Sequence, residues 1–196
     1  MRNLTLLAAR TVLGGYLSVH GAQKLFGSFG GPGLDAAGAN FEKMGLRPGK
    51  AMATLAGASE LGGGLLTATG VAYPLGPVAI AGSMAVATAV HRRQGPMAQK
   101  GGYELPLTNL AVASVLAAAG PGCIKLGPRL SKKLSRLTFL GALAMTGAAL
   151  AQVLRAKPPA PPSSQSVASS STQSGPVSAE PVANGSAPAS ASTSAD

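Results

Sequence analysis

Acidic residues are scarce in this chain of 196: six Asp and Glu stand against sixteen Lys and Arg, a formal charge of +10. Tryptophan is absent, aromatic residues make up 4% and charged residues 11%, where about 25% charge is usual for a soluble domain. A soluble core leans on aromatic anchors and a soluble surface on charges of both signs. With neither, the chain does not read as a soluble globular domain. Cys123 is the single cysteine, which excludes an internal disulfide framework and a cysteine-cluster metal site. His20 and His91 are the two histidines, and no H-x-x-H, E-x-x-H or H-E-x-x-H spacing occurs, so no metal site is expected. A phosphate-binding glycine loop, a Ser-His-Asp or Cys-His arrangement, a haem motif and a flavin fingerprint are also missing. Glycine is plentiful at 27 residues but has no G-x-y period, which excludes collagen.

What the chain has is apolar length. Hydrophobic residues make up 46% and the mean hydropathy is +0.28. Five apolar segments stand out: Leu4–Ala22, Ala51–Val71, Pro74–Val90, Leu105–Gly120 and Leu137–Leu154. About 20 helical residues cross a hydrocarbon core of ~30 Å, so these segments read as membrane helices, several of them slightly short. Arg10 inside the first segment, with no small-x-small cleavage site after it, argues against a secretory signal peptide. Residues 158–196 differ from the rest: 27 of 39 are Pro, Ser or Ala. Such a stretch has no apolar face to bury and reads as a disordered tail. Its Asn184-Gly185-Ser186 triplet fits the glycosylation pattern but is short enough to arise by chance. Without the tail, the body holds sixteen basic and four acidic residues, or +12. These basic residues punctuate apolar runs, the pattern of membrane loops rather than of nucleic-acid binding. Their distribution leans weakly to an outside N-terminus.

Ionisable residues at membrane depth are costly and therefore functional candidates. Measured from the segment ends Ala22 and Ala51, Arg10 lies ~18 Å inward and Glu60 ~14 Å inward. An Arg10–Glu60 ion pair is expected from that match, as a structural clasp, a functional site or both. Alternating helices also bring His20, Lys24, His91, Tyr103 and Glu104 to one membrane face, a candidate ligand or proton site. Arg10, Gly14, His20/Gly21 and Lys24 share one stripe of the first segment; Gly57, Glu60 and Gly64 share one of the second, with Gly63 adjacent. Small residues let helices approach closely in lipid, so Gly14, Gly21, Gly57, Gly63 and Gly64 are the expected packing positions. Cys123 lacks an assigned basic activator and reads as inert. The basic run Arg129, Lys132, Lys133 and Arg136 reads as a contact with anionic headgroups.

Arg10, Gly14-Gly15 and His20-Gly21-Ala22-Gln23-Lys24 resemble the first-helix pattern of DoxX-like membrane proteins. Glu60 with Gly62-Gly63-Gly64-Leu65-Leu66 and Gly70, then Gly102-Tyr103-Glu104 and Gly120-Pro121-Gly122, continue the resemblance over residues 7–122. It implies an all-α membrane protein: a four-helix transmembrane bundle over 1–122, here followed by a basic loop at 123–136, a fifth transmembrane helix at 137–157 and the tail. It further implies a multi-pass bacterial inner-membrane protein with a cytoplasmic N-terminus, tied to quinone or thiol/thiosulfate redox chemistry. With no redox centre bound to the chain, a diffusible quinone is the implied carrier. Soluble redox or sulfur-transfer proteins, the lipid bilayer and a further copy of the chain are the implied partners. Two other classes stay open: a non-enzymatic scaffold recruiting soluble partners, and a small-solute transporter.

Overall fold

The structure, a computed structural model, describes residues 1–156. Six α-helices fill them: α1 (Arg2–Phe26), α2 (Gly33–Lys43), α3 (Gly49–Thr69), α4 (Leu75–His91), α5 (Glu104–Ala119) and α6 (Lys132–Arg155). Lys157 and the expected disordered tail, with its Asn-Gly-Ser triplet, lie outside the described residues.

Helix limits follow local chemistry. α1 stops where Gly27 turns left-handed at φ 70 and returns its N–H to the carbonyl of Gln23, a stop that a residue without Cβ makes at no steric cost. α6 starts where the Ser131 hydroxyl accepts from the Leu134 amide at 3.3 Å, satisfying an orphan donor of the first turn. That cap sets the start five residues ahead of the expected Leu137. Lys132, Lys133 and Arg136, expected in a loop, therefore belong to α6. α2 fills a stretch that the apolar pattern leaves without an element.

The broadest interface joins α1 to α3; α3 packs on α4, α4 on α5, and α5 returns to α1. Leu13 and Leu17 of α1, Ile80 and Met84 of α4, and Ala113 and Leu116 of α5 form the buried centre. α6 packs on the outside of α4, where Ala149 and Val153 meet Leu46, Val86 and Val90. It belongs to the same compact unit as the other five helices. At the far end the loop after α5 is strapped to the α3–α4 turn. There the amide of Ala72 donates to Pro128 O, that of Leu126 to Thr69 O and that of Leu130 to Tyr73 O, each at 3.0 Å.

The α1–α3 seam is a glycine seam. A Cβ on Gly14 would come within 2.7 Å of the Ala68 amide nitrogen, and one on Gly21 within 2.6 Å of Gly57 O. Only glycine permits this approach, and in lipid such contact replaces the hydrophobic effect as the force between helices. Opposed positions along the seam have numbers adding to about 80.

Five spans were expected. Among the described residues α6 alone is long and apolar enough to cross a membrane, with a best-window mean hydropathy of 1.7 and little of that window buried. α4 and α5 have 17 and 16 residues, ~26 and ~24 Å of the ~30 Å core. In α1 and α3 the charged and small polar-facing positions dilute the apolar average. Large apolar side chains nevertheless face outward on several helices, including Leu4, Val12, Leu65, Leu107, Val115 and Leu143.

Candidate functional site

Two cations of α1 are drawn into the bundle. Arg10, 1% exposed, donates from Nη1 to Pro121 O and from Nη2 to Ile124 O, both at 2.6 Å. Its Nε is buried without a partner. Gly70, at φ 72, lies so close that a Cβ there would strike the guanidinium. Glycine at this position thus both ends α3 and makes room for the arginine.

The expected Arg10–Glu60 pair does not form. By the seam register Arg10 is level with Gly70, whereas Glu60 is level with His20, about ten residues or ~15 Å away. The two segment ends used to estimate depth are not level either. α3 begins well beyond the end of α1, because its first turns pack against α2, with Gly49 against Gly38.

Glu60 pairs instead with Lys24. Lys24 Nζ donates to Glu60 Oε2 at 2.5 Å, with side-chain exposures of 25% and 6%. Ser83 Oγ of α4 donates to the other oxygen, Oε1, at 3.4 Å. Three helices thus contribute one polar group each. Above Lys24 on the same face stand His20, which is exposed, and Tyr16, at the four-residue spacing that aligns helical side chains. The His20 and Tyr16 rings meet edge-on, 5.3 Å between centroids at 83°. The Tyr16 hydroxyl accepts from the Asn109 side-chain amide of α5. Tyr16, Ser83 and Asn109 escaped the reading of the sequence. Tyr16 lay four positions before His20 and could have been found; a single Ser or Asn in an apolar helix carries no pattern.

His91, Tyr103 and Glu104 do not join this group. They build the α4–α5 connection. His91 Nδ1 lies 2.7 Å from Gly101 O, Glu104 Oε1 accepts from the Ala98 amide at 2.9 Å, and the Tyr103 amide donates to Gly95 O at 3.1 Å. The tight glycine turns expose main-chain groups that the His91 and Glu104 side chains satisfy locally. Among the described residues no hydrogen bond or ion pair links them to Lys24 or Glu60, so the expected five-residue cluster divides in two. Elsewhere, Lys50 Nζ meets Asp35 Oδ1 at 2.7 Å, and that hydrogen bond holds the exposed Asp35 carboxyl below its ordinary range. Cys123 is free and exposed. Among the described residues no group of three His, Cys, Asp or Glu could hold a metal ion.

Chemically, a carboxylate inside a helical bundle, held by one ammonium and one hydroxyl, can exchange a proton or a hydrogen-bond partner. Lys24 keeps a quarter of its side chain open, with His20 and Tyr16 beside it.

Residues 5–93 match the DoxX family model. The match includes Arg10, Lys24, Glu60 and Ser83 and ends before α5, so the Tyr103-Glu104 entry and the Gly120-Pro121-Gly122 exit lie beyond it. No curated protein and no solved structure matches the chain.

Proposed function

We propose that the chain, whose residues 5–93 match the DoxX family model, is a DoxX-type multi-pass protein of the bacterial inner membrane whose Lys24–Glu60 site receives the head group of a diffusible quinone. One observation carries the reading: Glu60 lies in mid-helix, nearly inaccessible, yet its partner Lys24 stays partly open. Ion pairs with a carboxylate this buried are expensive, and inside membrane proteins they are kept where protons or ligands are handled. Lys24 offers an N–H to a carbonyl oxygen of the ligand, and Glu60 holds or takes up a proton at Oε2 as Lys24 turns outward. Ser83 keeps the carboxylate oriented throughout. Electrons come from a soluble redox or sulfur-transfer partner.

The experiment is purification of the full chain in mild detergent, followed by extraction and identification of bound quinone and of co-purifying proteins. The native chain should retain quinone. Glu60→Gln and Lys24→Ala should retain about tenfold less, the worth of one charge-assisted hydrogen bond. Equal quinone in correctly folded variants would overturn the proposal. Partner proteins without quinone would favour a scaffold, and neither would leave a small-solute transporter.

A further inference from the structure

A second feature lies on the opposite side of α4. α5 and α6 each pack along α4, and two adjoining clefts of about 510 and 360 Å³ open between them, sharing Val78, Ala117 and Phe139. We propose that this groove binds one anionic phospholipid, with an acyl chain laid along α4 and the phosphate held by Arg136.

The groove has the right length. Its α6 wall runs from Ser135 to Thr146, eleven helical steps or ~16 Å, close to the ~15 Å of one leaflet's hydrocarbon. Its inner walls are mostly apolar and small, with Ala81, Gly82, Ala85 and Ala142 leaving the space and Leu143 bordering it; Ser114 and Thr146 are the hydroxyl residues of the lining, and the Ser114 hydroxyl is taken up by Leu110 O of its own helix. A chain without polar groups fits there, and its polar end must emerge at Ser135 and Arg136. Those two residues lie in the first turns of α6, which starts at Lys132, where a membrane-crossing helix meets the headgroups.

Charge selects the headgroup. Arg136 lines the mouth. Arg129 is held nearby through its main-chain bridge to Tyr73, next to Pro74, which lines the mouth. Lys132 and Lys133 stand one turn before Arg136 on α6. None of the four makes an ion pair among the described residues, and positions 105–156 contain no Asp or Glu. An arginine fork matches a phosphate in two N–H contacts, and clustered basic residues beside a transmembrane helix attract anionic lipid. A second copy of the chain would press the same basic mouth against its like. A soluble anion would leave the apolar length empty.

The test uses the full chain reconstituted with equal parts phosphatidylglycerol and phosphatidylcholine, then released into mild detergent for native mass spectrometry. The native chain should carry one lipid with about a fivefold preference for phosphatidylglycerol, the worth of one basic contact with an anionic surface. Arg136→Glu should abolish the preference. Ala142→Trp, which fills the groove and leaves the charges, should remove the lipid of either kind. Because the tryptophan could disturb α6, Ala142→Ser serves beside it and should keep both lipid and preference. Equal retention of the two lipids by the native chain overturns the proposal. So does a dimer that Ala142→Trp splits, or a quinone that Ala142→Trp displaces, since each would name another occupant. The Lys24–Glu60 variants should leave lipid retention unchanged, which separates the two sites.

Discussion

Arg10 and Lys24 sit on the same face of α1, fourteen residues or ~21 Å apart, and the bundle handles them in opposite ways. Arg10 is sealed, and its fork is spread over two main-chain carbonyls of the segment after α5. Lys24 meets a carboxylate, Glu60, and remains partly open. The side-chain types suit the tasks. A guanidinium is weakly hydrated, planar and permanently charged, so it can be buried against neutral carbonyls as a fixed clasp. An ammonium on a flexible stem can leave its partner and reach outward. The difference teaches that charge within a helical bundle is not one signal: the partner and the remaining exposure separate a fastener from a working site.

The hardest test of that contrast is Arg10→Met. It removes two hydrogen bonds to a charged donor, each worth about 1.5–3 kcal/mol, and leaves the buried Pro121 carbonyl unsatisfied. A stability loss of at least about 3 kcal/mol is expected, read as a lower thermal unfolding midpoint in detergent. Arg10→Lys should recover only part of it, because one ammonium cannot span both carbonyls. An Arg10→Met chain that unfolds where the native chain does would mean the clasp holds nothing. Next in size is the seam between the two cations. Gly21→Ala drives a methyl into the α3 backbone and should cost about 1–3 kcal/mol as overpacking. At Gly15 nothing lies within 4 Å of an added Cβ, so Gly15→Ala should be neutral or gain up to about 1 kcal/mol in helix propensity. Equal unfolding midpoints for the two alanine variants would remove the seam from the account.

Much of this was legible beforehand, and the failures have a common cause. The five apolar segments correspond to α1, α3, α4, α5 and α6 with small shifts at the ends, because apolar runs report where helices can form. The glycine stripe pointed to Gly14, Gly21, Gly57 and Gly64, positions that lie at the α1–α3 contact, since periodicity reports which residues share a face. Periodicity does not report the stagger between two helices. Arg10 and Glu60 were matched by depth on the assumption that α1 and α3 end level, and α2 breaks that assumption. The carbonyls that receive Arg10 belong to Pro121 and Ile124, over a hundred residues along the chain. Main-chain acceptors have no sequence signature at all. The division of the five-residue cluster has the same origin: His91 and Glu104 serve main-chain groups of their own loop.

The smallest expected effect is also the one that decides whether Lys24 and Arg10 differ in kind. Glu60→Gln keeps the shape of the side chain, so no cavity forms and Ser83 keeps a partner. Lys24 loses its counter-charge but has a quarter of its side chain at the surface and can extend outward with its stem still packed. The loss should therefore stay within about 1 kcal/mol, the range of partly exposed pairs, well below that of Arg10→Met in the same detergent. Removing both charges, in Lys24→Met with Glu60→Gln, should bring stability back to near the native value, because no charge is then left without its partner. A Glu60→Gln chain as unstable as Arg10→Met would make the pair a second fastener. A small loss of stability joined to a large loss of bound quinone is the signature of a site retained for what it does rather than for what it holds together.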